Sequence, residues 1–269
     1  MANIFRIRLR SQRIRVRMLF FLSLLLAAPG ITFSGEVTDL LKPANTDSPR
    51  STLKSFIETL NEGYRQRQDI IQNYFASSRL YLSAEQHADV DRTMQQVARA
   101  ERTLDLSALP IALADKVSMA RVLQLKEILD RIELPPYESI PDAAAMESEE
   151  FQHWTIPDTE ITIQRVVEGP RAGEYLFSTE TVERLPEFYR KIRFAPYKPG
   201  SSAGWYEGYR YGGGGLYKII PYRWMAALPQ WSMQLVLDQP LWLWIGVGLV
   251  LPTAGLLYLL TYRLCTTIV

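Results

Sequence analysis

The chain's nitrogen and sulfur metal ligands are two histidines, His87 and His153, and one cysteine, Cys265. A thiolate zinc centre needs several cysteines, and an imidazole centre needs further ligands at fixed spacing. His153 stands beside Trp154 and near Glu149 and Glu150, but nothing supplies the rest of a coordination sphere, so it reads as a loop histidine packed on the indole. His87 reads as an ordinary helix residue. The acids Glu133, Glu138, Asp142, Asp158 and Glu160 could in principle pair for proton transfer. Acid pairs are common on solvated surfaces, and nothing in the sequence points to a cleft that would shift their pKa values. Gly169 to Gly173 and the four-glycine run Gly212 to Gly215 both lack the Gly-Lys-Ser/Thr ending of a phosphate loop; the second reads as a hinge. The sequence therefore nominates no catalytic, cofactor-binding or metal-binding residue and no cofactor, and the expectation is a protein that is not an enzyme.

The ends of the chain carry stronger signals. Residues 1–34 hold six arginines (Arg6, Arg8, Arg10, Arg13, Arg15, Arg17) and no acid, followed by an eleven-residue apolar stretch, Met18 to Ala28, and then by Pro29 and Gly30. Eleven residues make a helix of about 17 Å, too short for a hydrocarbon core of about 30 Å. The pattern predicts a signal peptide, with Thr32 and Ser34 at the −3 and −1 positions. An uncleaved signal anchor is the alternative. The whole chain carries a net charge of +1 and the part after residue 34 a charge of −5, with no basic stripe, so nucleic acid is not an expected partner. One cysteine excludes an intrachain disulfide.

Leu241 to Tyr262 is 22 residues without a charge, long enough to span a bilayer, with Trp242, Trp244, Tyr258 and Tyr262 toward its ends as interfacial belts require. We place a transmembrane helix at 240–263 and a short tail at 264–269. Pro252 sits near mid-span, and Gly246, Gly248 and Gly255 offer small surfaces for helix contact. The N-terminal arginines and Arg263 both favour the cytoplasm. The middle of the chain is then extracytoplasmic.

That middle begins with a polar linker at 35–48. A helical bundle is expected over 49–134. Its first helix, 49–76, has Ser48 as N-cap and Pro49 at N1, and its apolar stripe runs from Leu53, Phe56, Ile57 and Leu60 to Tyr64, Ile71, Tyr74 and Phe75. Its second is opened by the capping box Ser83-Ala-Glu-Gln86 and runs to about Glu101, with Val90, Met94 and Val97 on one face. Its third runs from about Lys116 to Glu133, with Val122, Leu125, Leu129 and Ile132 inward. An acidic linker is expected at 135–153. A β-hairpin plus helix follows at 154–193: strand 159–167, a turn, strand 174–177, and a helix capped by Ser178. A Gly- and aromatic-rich loop covers 194–221, and an interfacial helix lying on the membrane covers 222–239. The expected fold class is mainly α with a small β-hairpin (α+β), followed by one transmembrane helix.

The segment Trp154 to Ser178 resembles the extracytoplasmic region of large bacterial proteins of the mechanosensitive small-conductance channel family, where a similar hairpin precedes a stretch like Thr181-Val-Glu-Arg-Leu-Pro-Glu-Phe-Tyr189. The helix start Pro49 to Phe56 and the connector Leu104 to Pro110 are similar to the upstream helices of those proteins, and the resemblance covers about residues 45–262. The resemblance does not extend to the family's glycine- and alanine-rich pore helix or its cytoplasmic vestibule, so no pore residue carries over. The resemblance implies the sensory, regulatory or assembly portion of a mechanosensitive-channel-like protein in the bacterial inner membrane. Expected partners are the lipid bilayer, further copies of the chain or channel subunits, and a periplasmic ligand. The alternative expectation is a membrane-tethered periplasmic binding module, with the aromatic stretch 205–217 as its contact surface.

Overall fold

A computed structural model of the chain describes residues 43–148, 152–211, 220–237 and 239–268. The signal peptide, most of the 35–48 linker, Glu149, Glu150 and the four-glycine run lie outside them. The fold is mainly helical with small antiparallel sheets and one apolar helix near the C-terminal end.

Helix α1 (Pro49–Ala76) starts where its cap dictates. Ser51 N donates to Ser48 Oγ at 3.2 Å and Ser48 N donates to Ser51 Oγ at 2.9 Å, so two backbone donors are satisfied reciprocally, with proline at the first turn. Leu53, Phe56, Leu60, Ile70 and Tyr74 are buried, whereas Phe75, expected inward, is exposed. Helix α2 (Ala84–Glu101) uses the expected box, with Ser83 N on Gln86 Oε1 at 2.9 Å and Gln86 N on Ser83 Oγ at 3.2 Å. Its buried face is Thr93, Gln96, Val97 and Ala100; Val90 and Met94 are only half-buried.

Helix α3 (Ile111–Leu129) begins five residues earlier than the sequence reading and ends four earlier. Its early end has a physical cause: the Asp130 carbonyl accepts Lys198 N at 3.0 Å and Ser201 Oγ at 3.1 Å, so a later segment takes over the acceptor. The stretch expected as an acidic linker is packed structure instead. It contains a 3₁₀ turn (Tyr137–Ser139), helix α4 (Ala143–Ser148) and strand β1 (His153–Thr155). Ile140 and Met146 are buried there, and Arg50 donates to the carbonyls of Ile140 at 2.8 Å and Glu138 at 3.1 Å and to Asp142 Oδ2 at 3.1 Å.

The expected two-stranded hairpin is the edge of a three-stranded antiparallel sheet in the order β1-β2-β3, with β2 (Thr162–Arg165) central and β3 (Tyr175–Phe177) returning. Trp154 faces Ile163, and Ile163 faces Phe177. The third strand relieves the marginal stability of a lone hairpin. Tyr175 N also bonds to Thr46 O at 2.8 Å, and Phe177 N to Thr103 O at 2.9 Å, so the sheet is stitched to the helical part. Helix α5 (Thr179–Ile192) is capped by Ser178, which accepts Thr181 N at 3.1 Å. One apolar core runs through α1, α2, α3, the sheet and α5, with Phe56, Leu104, Leu125, Ile163, Phe177 and Leu185 at its centre.

Residues 205–211, expected in a loop, form helix α6 (Trp205–Tyr211), and Trp205 and Tyr206 join the core. Gly63 makes room: a Cβ there would lie 3.2 Å from Trp205 Cη2. The single interfacial helix expected over 222–239 is broken into helix α7 (Tyr222–Ala226), a 3₁₀ turn (Gln230–Met233) and a tight hairpin of β4 (Leu235–Val236) and β5 (Gln239–Pro240). Pro229 explains the break, since it lacks a donor and disfavours helical backbone at the residue before it.

Helix α8 (Leu241–Ile268) follows. Leu241–Leu260 is an uncharged 20-residue stretch with none of it buried, about 30 Å at about 1.5 Å per residue. Among the described residues it is the one helix long and apolar enough to cross a membrane. After Pro252, Thr253 Oγ1 donates to the carbonyls of Leu249 and Val250, both at 2.9 Å.

Candidate functional site

The polar chemistry of the fold gathers at two joints between the helical domain and the residues that lead into α8. The first is the last turn of α3. Two pairs interleave at i,i+4: Lys126 with Asp130, and Glu127 with Arg131, whose Nη1 lies 2.6 Å from Glu127 Oε2. The side chains of Lys126, Glu127 and Arg131 are each at most 2 % exposed. Burial at that level is costly unless every lone pair and proton finds a partner, and residues 195–206 supply partners for Glu127, Asp130 and Arg131. Tyr197 OH donates to Glu127 Oε2, and Tyr206 N to Glu127 Oε1 at 3.2 Å. Ser202 N donates to Asp130 Oδ2 at 2.9 Å. Arg131 Nε donates to Ala195 O at 3.1 Å, and its guanidinium lies 3.7 Å above the Tyr197 ring.

The electrostatics follow from this geometry. Burial pushes the Lys126 ammonium down from its ordinary value, against the opposing pull of Asp130 and Glu127. Burial, and then the hydrogen bond to Glu127, push the Tyr197 phenol up to about 12. Burial, and next the Glu207 carboxylate, push Tyr189 up as well. These shifts belong to groups locked in place: the cluster fastens the 195–206 strap to α3.

The second joint is the C-terminus of α1. That helix has no basic residue in its last turn. Arg223, on α7, fills the role. Its Nη2 donates to the carbonyls of Tyr74 at 3.1 Å and Phe75 at 3.2 Å and to that of Ser77, and its Nε donates to Arg79 O at 3.1 Å. The Arg223 backbone N–H donates to Tyr74 OH at 3.2 Å. One guanidinium thus satisfies orphan carbonyls and sits at the negative end of a 28-residue helix. From there the chain reaches α8 through short ties: Leu241 N to Gln234 O at 2.8 Å, Trp244 Nε1 to Val236 O at 3.0 Å, and Trp242 Nε1 to Tyr211 O at 3.3 Å.

The residues singled out for chemistry are dispersed. His87 is half-buried on α2, and His153 is exposed on β1. Among the described residues no three His, Cys, Asp or Glu side chains converge as a metal site requires. Asp142 accepts Ala145 N–H, which, with the Arg50 charge, holds its carboxyl below the usual range. Glu160 pairs with Arg184, and Glu133 lies 3.7 Å from Lys198. Asp158 sits at φ 59° between β1 and β2, and Gly169 and Gly173 take φ of 93° and 94° between β2 and β3.

The chain also contains two spacings used by nucleophilic serines. In Ser51-Thr-Leu-Lys54 the serine hydroxyl is engaged in the α1 capping box and Lys54 points to Glu58 at 3.9 Å. In Gly200-Ser-Ser-Ala-Gly204, Ser202 is buried, its Oγ faces Asn61 Oδ1 at 3.5 Å, and no strand leads into it. A nucleophile elbow needs a strand, a sharp turn and an exposed hydroxyl beside a base. Here the same glycines, with φ of 80° and 73°, shape the strap that reaches Asp130. The two joints themselves carry little sequence signal beyond the alternating charges Lys126, Glu127, Asp130 and Arg131 set among Leu125, Ile128 and Leu129.

No protein-family profile, no curated protein and no solved structure matches this chain.

Proposed function

We propose that this chain is the membrane-anchored extracytoplasmic sensory, regulatory or assembly portion of a mechanosensitive-channel-like protein, acting through position and force rather than through catalysis. The observation that carries the reading is the Arg223 clamp, which links the end of α1 to the residues just ahead of α8. A domain tied to its span by the Arg223 clamp, the short hairpin and the Trp242–Tyr211 bond moves when the span tilts. The resemblance of Trp154 to Ser178 to channel proteins supports the same assignment. In this reading α8 crosses the bacterial inner membrane. The arginines at the N-terminus and Arg263 lie in the cytoplasm, a signal peptide is removed, and the bulk of the chain is extracytoplasmic. Its partners are the bilayer and either further copies of itself or channel subunits.

A tethered binding module that presents aromatics from 205–217 to a periplasmic ligand is less well supported, because Trp205 and Tyr206 are packed in the core. Extraction of the native protein from its own membrane in mild detergent, followed by sizing and identification of what travels with it, separates the two. Ring-like oligomers or a co-extracted multi-span channel subunit are the expected result. A monomer that binds a soluble periplasmic ligand would support the tethered module instead.

A further inference from the structure

We infer that the base of the helical domain is a second membrane contact: an apolar docking surface for the lipid interface, built from two stretches of chain that are far apart in sequence. The inference rests on the reading of α8 as a membrane span. One stretch is the end of α1 and the turn after it, where Phe75 and Leu80 are exposed. The other is the broken segment ahead of α8, where Trp224, Trp231 and Leu237 are exposed, Leu237 at 81 %. The Arg223 clamp and the Phe75–Tyr222 ring contact at 5.7 Å bring the two together. The bond from Leu241 N to Gln234 O holds the second stretch against the start of α8. Exposed large apolar side chains therefore lie on two stretches that the clamp joins, the second of which leads directly into the apolar helix.

Leu237 is the sharpest sign. It sits in the β4–β5 turn at φ 54°, a conformation that glycine or asparagine adopts easily and a leucine only at a cost in strain. The strain projects an apolar side chain from the turn immediately before the apolar helix. In water that placement wastes the side chain; in a bilayer it inserts it. Trp224 and Trp231 are the side-chain type that prefers the headgroup level, apolar in body with one polar tip. The second stretch runs straight into a helix exposed and apolar along Leu241–Leu260 and is tied to its start by Leu241 N on Gln234 O, so the lipid interface is the occupant the surface fits.

The test uses the full chain in phosphatidylcholine/phosphatidylglycerol vesicles, with Cys265→Ser as background and one nitroxide at a time on Leu80→Cys, Leu237→Cys, Val167→Cys or Leu256→Cys. Collision with oxygen is compared with collision with a water-soluble nickel chelate. Val167, 72 % exposed in the connection between β2 and β3, serves as the water-exposed reference; Leu256 reports the span. Leu80 is decisive, because its place in the sequence gives it no reason to lie near the membrane. The expected result is several-fold lower chelate access at Leu80→Cys and Leu237→Cys than at Val167→Cys, with oxygen access retained. Chelate access at Leu80→Cys equal to that at Val167→Cys, with Leu256→Cys in lipid, overturns the docking surface and leaves the span standing. Chelate access at Leu256→Cys overturns the span and the inference with it. Loss of both oxygen and chelate access at Leu80→Cys, with spin–spin broadening, overturns lipid as the occupant in favour of a second copy of the chain.

Discussion

Arg223 Nη2 lies 3.1 Å from the carbonyl oxygen of Tyr74, and through that contact a residue 149 positions later in the chain completes the end of α1. Helix ends are ordinarily closed by nearby glycine or asparagine, by a local lysine or arginine, or by water. Here a distant arginine does it, so the α1 terminus and the residues before α8 form one unit.

Arg223→Ala removes several charge-assisted hydrogen bonds at once. Loss of about 1.5–3 kcal/mol is expected, with faster amide exchange in the last two turns of α1 and little change in the sheet. Arg223→Lys keeps the charge but not the planar fork, and should recover only part of the loss. Thermal unfolding and hydrogen exchange on the detergent-solubilised chain check both.

The cluster at the end of α3 responds differently to single and double changes. Arg131→Met leaves Glu127 buried without its cation, and Glu127→Gln leaves Arg131 without its anion. Each should cost about 3–5 kcal/mol. Replacing both together should cost clearly less than the sum, because no uncompensated charge stays behind. A double-mutant cycle by denaturant unfolding reads the difference.

Tyr197 gives a pH signature. Its phenol is raised from 10.0 to about 12, so the folded state holds a proton that the unfolded chain releases earlier. Its contribution is complete below pH 10 and is lost as pH rises toward about 12. Lys126, pushed down, acts in the opposite sense below its ordinary value, so the two must be separated. Subtracting the stability profile of Tyr197→Phe from that of the unaltered chain isolates the phenol. The difference should be flat at neutral pH and shrink through the alkaline window.

Gly63 faces Trp205 across the α1–α6 contact. Gly63→Ala gains helix propensity worth up to about 1 kcal/mol and pushes against the indole, so a small net change is expected. Gly63→Val cannot be absorbed and should cost about 1–3 kcal/mol through overpacking. Red-shifted tryptophan emission should accompany that loss.

These joints show where sequence reading reaches and where it stops. The starts of α1, α2 and α5 were legible because Ser48, Ser83 and Ser178 announce themselves through local spacing, and the apolar helix was legible from length and lack of charge. The start of α3 was not, since Pro110 caps it without a side-chain bond. The apolar residues alone predict a helix over 222–239, and Pro229 breaks it. Arg223 and the Lys126–Arg131 cluster were invisible for a deeper reason: charges at i,i+4 usually decorate a solvated face, and only the long-range chain path decides that the strap 195–206 covers them. Gly200–Gly204 makes the converse point, since a spacing used by catalytic serines here shapes a buried turn.

The most direct test of the proposed coupling is the distance between the helical domain and α8. Nitroxides on Asp69→Cys in α1 and Leu256→Cys in α8, in the Cys265→Ser background and in lipid nanodiscs, give that distance and its spread by pulsed dipolar spectroscopy. A narrow distribution that broadens when Arg223 is replaced by alanine is the result the coupling predicts. A distribution that is already broad in the unaltered chain, or one unchanged by Arg223→Ala, would contradict it.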